Sequence, residues 1–87
     1  MIKIETTTDA LRIAEILYKE AFQVTDRNSH VQWWDKKVEV LQVINEAFET
    51  GYYTGEATAE LRQAKYLIYR AETIAGEQAL KYEKMFK

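Results

Sequence analysis

Apolar residues recur along this chain at spacings of three and four, the repeat that lays one side of an α-helix against a core. The pattern runs in three segments. In the first, Ala10, Leu11, Ile13, Ala14, Leu17, Tyr18, Ala21, Phe22 and Val24 share one face, and Arg12, Glu15, Lys19 and Gln23 share the opposite one. Ile16 alone falls on the polar side. The run Thr6-Thr7-Thr8 precedes this segment, and a threonine hydroxyl at the N-cap accepts from an otherwise unpaired backbone N–H. Thr6 and Asp9 have the spacing of a capping box, with Asp in the place of the usual Glu.

Thr25 to Ser29 reads as a loop, and Ser29 followed by Gln32 is a capping-box signature for a second helix. Trp33, Trp34, Val40, Leu41, Ile44, Ala47 and Phe48 form its apolar face. Adjacent residues point about 100° apart on a helix, so one tryptophan belongs to the core and the other to its edge. Lys37 falls inside the apolar face. It is expected to pack its stem there and carry its ammonium out to water. Gly51 stands where a C-cap glycine would end the helix.

After a short connection over Tyr52 to Thr54, with Thr54 or Thr58 as cap, a third helix is expected. Its core face is Ala57, Leu61, Ala64, Leu67, Ile68, Ala71, Ala75, Ala79, Tyr82 and Phe86. Lys81, Lys84 and Lys87 lie at the end where cations favour the helix dipole. At 1.5 Å per residue this helix would be about 45 Å long, against roughly 25–30 Å for the other two. A helix that outruns its neighbours must bend, break or find another partner. Gly76 is the expected break; a second subunit over the overhang is the alternative.

These elements predict an all-α fold: a small three-helix bundle with a long C-terminal helix, occupying residues 1–87 as one helical domain, with a dimer as one way to cover the excess length. Composition agrees. The chain has 87 residues, 47% of them hydrophobic and 30% charged, a globular balance. At this size folding buries only about two-thirds of the chain's surface, so the core has little margin. Three Gly and no Pro leave few turns. The lack of Cys excludes disulfides and thiolate chemistry and agrees with a reducing cytoplasmic compartment. The longest apolar run, Tyr66 to Tyr69, is far short of the roughly 20 residues that span a bilayer. The start, Met1 to Glu5, lacks a signal peptide's apolar stretch.

The parts of most enzymes are missing. Three scattered glycines cannot form a phosphate-binding loop, and there is no HExxH. The single histidine, His30, sits beside Ser29 near a helix start, where a capping or exposed role is expected rather than a place in a triad. Asp26, Asn28 and His30 open like a calcium loop, but its sixth and twelfth positions hold Val31 and Lys37 instead of Gly and Glu. Asp35 and Glu39 are paired carboxylates on an outward face, whereas acid catalysis needs a desolvated cleft. The chain is therefore expected to be non-enzymatic, with no cofactor and no metal.

Two surfaces stand out. Asp35, Glu39, Gln42, Glu46 and Glu49 line one side of the second helix at spacings of four, three, four and three. No Lys or Arg interrupts them to form the i,i+4 pairs that usually neutralise such a row. The row suits a protein partner with a basic surface; the competing explanation is a solvated helix face. On the third helix, Arg62, Tyr66, Tyr69, Thr73 and Leu80 lie away from the core face, flanked by Lys65 and Arg70. Tyr and Arg are enriched at binding hot spots. This stripe suits a partner or self-association into a homo-oligomer, unless a neighbouring helix wraps around to bury Tyr66 and Tyr69. Single-stranded nucleic acid, stacked on Tyr with Arg on phosphate, ranks below both because the net charge is −2. The leading expectation is a regulator, inhibitor or adaptor that binds another macromolecule through helix faces, with a self-assembling structural protein as the alternative.

Overall fold

The computed structural model describes residues 4–48 and 55–85, with side chains of the last helix described over 58–82. It contains α1 (Thr7–Ala21), α2 (Arg27–Phe48) and α3 (Gly55–Met85), with no strand among the described residues. Gly51 and Thr54 as caps, Ala57 and Phe86 in the core, Glu49, and the terminal Lys84 and Lys87 lie outside the described side chains.

The start of α1 follows the expected chemistry. The Thr6 side chain accepts from the Asp9 backbone N–H at 3.1 Å, and an Asp9 carboxylate oxygen accepts from the Thr6 N–H at 3.2 Å. The same oxygen accepts from the Glu5 N–H at 3.2 Å. These bonds, led by the one from Glu5, hold the Asp9 carboxyl below its ordinary pKa.

The start of α2 corrects the sequence expectation. Ser29 is not the cap; the cap is Asp26, three residues earlier. The Asp26 carboxylate accepts from the Ser29 N–H at 2.7 Å, and the Ser29 hydroxyl accepts in return from the Asp26 N–H at 3.1 Å. The Asp26 carbonyl takes the first helical bond, from the His30 N–H. A capping box is present, with Ser in the position usually held by Glu. The Ser29 N–H lowers the Asp26 pKa more than any other group.

α1 and α3 run parallel, with α2 antiparallel to both. Thr7 and Thr8 near the start of α1 donate to the Glu60 carboxylate near the start of α3. Gln78, far along α3, donates to the Phe22 carbonyl just past the end of α1. α2 returns between these levels: its Lys37 pairs with Glu72, and its Phe48 faces the same groove as Leu61.

The closest packing joins α1 to α3. Ala10, Ala14 and Ala21 on α1, and Ala64, Ala71 and Ala75 on α3, are all completely buried. Their spacing of four or seven residues keeps small side chains along one line of each helix, so the backbones can approach. Leu17, Ile68, Val40 and Ile44 are the largest fully buried side chains and fill the space where α2 meets that pair. Trp33 is buried and donates its indole N–H to the Leu17 carbonyl at 3.0 Å, while Trp34 is 42% exposed. The two tryptophans thus divide into core and edge as their spacing required. Ile16 is exposed, as its place on the polar side required; Phe22 and Ala47, expected on apolar faces, are exposed too.

α3 is continuous through Gly76, against the expectation of a break there. At 31 residues it spans about 46 Å, close to the molecule's 50 Å long axis. α2 fits alongside most of it, while α1 ends near Gln78.

Candidate functional site

The side of the molecule made by α2 and α3, away from α1, collects the features that the core does not use. Its floor is an ion pair. Lys37 is 4% exposed, and its ammonium bonds to the Glu72 carboxylate at 2.7 Å while lying 3.2 Å from the centre of the Trp34 ring. The expectation of a lysine reaching water is therefore wrong. Glu72 stands on the facing helix, one level across, and comes to the charge; an indole face supplies the rest of its surroundings. Nothing in the spacing of α2 shows that a carboxylate on α3 lies opposite.

Above this pair sits exposed apolar surface. Val31, Trp34 and Val38 on α2 are 42–51% exposed. With Leu41, Asn45 and Phe48 they follow spacings of three and four, one residue out of step with the buried row Trp33, Lys37, Val40 and Ile44. α2 therefore carries a second, largely apolar row, in which Leu41 and Phe48 pack partly against the core while Val31, Trp34 and Val38 stay exposed. Val31 and Val38 do not stand out in the sequence because a single amphipathic face accounts for the stronger residues. The repeat of the second seam, at 31, 34, 38, 41, 45 and 48, is the signal that marks them.

The stripe on α3 borders the same side. Arg62, Tyr66, Tyr69, Thr73 and Leu80 are all exposed, with Tyr66 at 60%, Tyr69 at 66% and Leu80 at 57%. No neighbouring helix covers the two tyrosines. Lys65 and Arg70 beside them are exposed as well. On the opposite flank, along the outer side of α2, Asp35, Glu39, Gln42 and Glu46 are exposed. Gln42 donates to Glu46 at 3.3 Å. Among the described residues no cation comes within pairing distance of Asp35, Glu39 or Glu46. Lys36 points the other way and joins Glu20 of α1 at 2.8 Å. Two stripes that looked separate in the sequence thus become the two margins of one face.

Two hollows lie between α2 and α3. One of about 460 Å³ is lined by Ile44, Asn45, Phe48, Leu61 and Lys65. The other, about 330 Å³, is lined by Arg27, His30, Gly76, Ala79 and Leu80. His30 corrects an expectation, since its ring is half-buried rather than exposed or capping. It lies edge-on to Trp34 with centroids 6.1 Å apart, and its Nε2 is buried without a hydrogen-bond partner. Neither hollow gathers a nucleophile with a base and an orienting acid. No group of three or more His, Asp or Glu among the described residues could hold a metal ion, and no described helix is long and apolar enough to cross a membrane. No protein-family model, curated protein or solved structure matches this chain.

Proposed function

We propose that this chain is a non-enzymatic macromolecule-binding protein, a cytoplasmic regulator, inhibitor or adaptor, whose working surface is the outer α2–α3 face. The observation that carries this reading is the second apolar seam of α2. Val31, Trp34 and Val38 remain exposed beside exposed Tyr66, Tyr69 and Leu80 on α3. Single exposed apolar residues are ordinary, but a contiguous patch with polar margins is the mark of a surface that something covers. Aromatic side chains in such a patch supply large contact area at low entropic cost.

The charged margins support a protein partner over nucleic acid. Arg62, Lys65 and Arg70 share their face with an exposed acidic row, and the net charge of the chain is −2, so the face offers a phosphate backbone little net attraction.

The test is capture on tagged wild-type protein, with cross-linking and mass spectrometry, against a Trp34→Ser plus Tyr69→Ser variant. Tyr69 is 66% exposed, whereas Trp34 is 42% exposed and its ring covers the Lys37 ammonium, so circular dichroism and thermal melts of both proteins separate a lost fold from a lost contact. Wild type is expected to retain a protein, whether a second copy of the chain or another, that the variant releases. Equal retention by both proteins refutes the reading.

A further inference from the structure

We propose that the occupant of the α2–α3 face is a second copy of this chain. It docks about a two-fold axis parallel to the helices, so that Trp34 of each copy meets Gly76 of the other. This deepens the binding-face reading and rests on it.

Gly76 is the first reason. It lies well inside α3 and has no positive φ. A Cβ there would meet nothing within 4 Å. Nothing inside the subunit requires glycine, yet glycine costs a helix about 1 kcal/mol relative to alanine. Close approach of another body to the backbone is what glycine uniquely permits. The hollow beside it, lined by Arg27, His30, Ala79 and Leu80, is open to receive a side chain. His30 lines that hollow, and its buried Nε2 has no hydrogen-bond partner inside the subunit.

The levels of the helices give the second reason. Lys37 is opposite Glu72, and α2 and α3 are antiparallel, so Trp34 is level with Ala75 and Gly76. A two-fold axis along the helices preserves level and exchanges sides. It carries α2 of one copy over α3 of the other and sets Trp34 above Gly76.

Charge chooses that axis over the alternative. By the same register, Glu39 is level with Arg70, and Glu46 with Arg62. Turning the second copy about the helix direction places the unneutralised acids of each α2 over the bases of the opposite α3. Turning it about an axis across the helices would face acid row to acid row, which like charges oppose. Apolar side chains then fill the centre and ion pairs form the rim, the ordinary anatomy of an interface. Two helices about 20 Å wide together, over about 26 Å of α2, give a footprint of roughly 500 Å² per copy. That is at the low end for specific association and points to a reversible dimer.

Sedimentation equilibrium over about 1–1,000 µM spans the range for such an interface. Wild type is expected to pass from monomer to dimer. Gly76→Leu should weaken dimerisation at least ten-fold while keeping a melting temperature no lower than wild type, because the added side chain enters open space. Glu39→Arg with Glu46→Arg should be monomeric, as should Arg62→Glu with Arg70→Glu, and an equimolar mixture of the two should recover a heterodimer. A wild type that stays monomeric throughout, or a Gly76→Leu variant that dimerises as tightly as wild type, overturns the proposal. Monomeric wild type that still retains a different protein through Trp34 and Tyr69 overturns self-docking alone. No association of any kind lost on changing those two residues overturns the binding-face reading with it.

Discussion

α3 makes two kinds of contact, and they differ in nearly every physical respect. Toward α1 it presents Ala64, Ala71 and Ala75, all fully buried against α1 and its alanines. Toward α2 it presents the Glu72 carboxylate that holds the buried Lys37 ammonium, two open hollows and, beyond them, exposed aromatics. The first side is closed because small residues let the backbones meet. The second is propped apart by larger side chains and finished with polar chemistry. A protein of this size cannot bury everything, and here the shortage falls on one side.

That contrast can be broken experimentally, most forcefully on the closed side. Leu17→Ala removes a fully buried side chain where the three helices meet and should cost about 3 kcal/mol in chemical denaturation. The converse change, Ala71→Leu, should cost about 1–3 kcal/mol because the α1–α3 approach has no room for it. A loss well under 1 kcal/mol in both would mean the two sides are equally loose.

The ion pair gives the next effect. Glu72→Ala leaves Lys37 buried without its partner and should destabilise by about 2 kcal/mol, below the range for a fully buried pair since Glu72 is partly in solvent. Lys37→Met removes the buried charge itself and should stay within about 1 kcal/mol of wild type, in either direction. Equal losses from the two changes would show that the pair is worth more than an apolar replacement.

Gly76→Ala should stabilise the fold by about 1 kcal/mol in thermal melts, because its Cβ meets nothing. A destabilised alanine variant would mean that the open side is more crowded than its geometry indicates.

The smallest effect comes from the caps, which belong to neither interface. Asp9 and Asp26 both have depressed carboxyl pKa values in the folded state. Their contribution is therefore present above the ordinary value of 3.8 and is lost as pH falls through the lower folded values. Denaturation midpoints should decline on acidification, and Asp26→Asn should flatten part of that decline while keeping a capping oxygen. An unchanged pH profile would show that the cap works without its charge.

The helices and their core sides were legible in the sequence because the periodicity is local: Leu17, Val40, Ile44, Ala64 and Ile68 all lie where spacing places them. The spacing points to Ser29 instead of Asp26 as the α2 cap because either end of a reciprocal cap can look like its first residue. Of the candidate face, the acidic row and the Tyr/Arg stripe were visible as separate periodic rows. Their arrangement on either side of an apolar seam was not, since it depends on how far α2 is rotated about its own axis.

The order of polar and apolar residues by itself determined that there are three helices, that α1 begins at a threonine capping box, and which sides carry the small residues. Each of these follows from interactions within a few positions along the chain. Only the tertiary structure decided the partner of Lys37, the exposure of Trp34 beside a buried Trp33, and the open space over Gly76. Those depend on residues far apart in sequence meeting across helices, Trp33 with Leu17 and Lys37 with Glu72, and on a packing angle that no local pattern encodes.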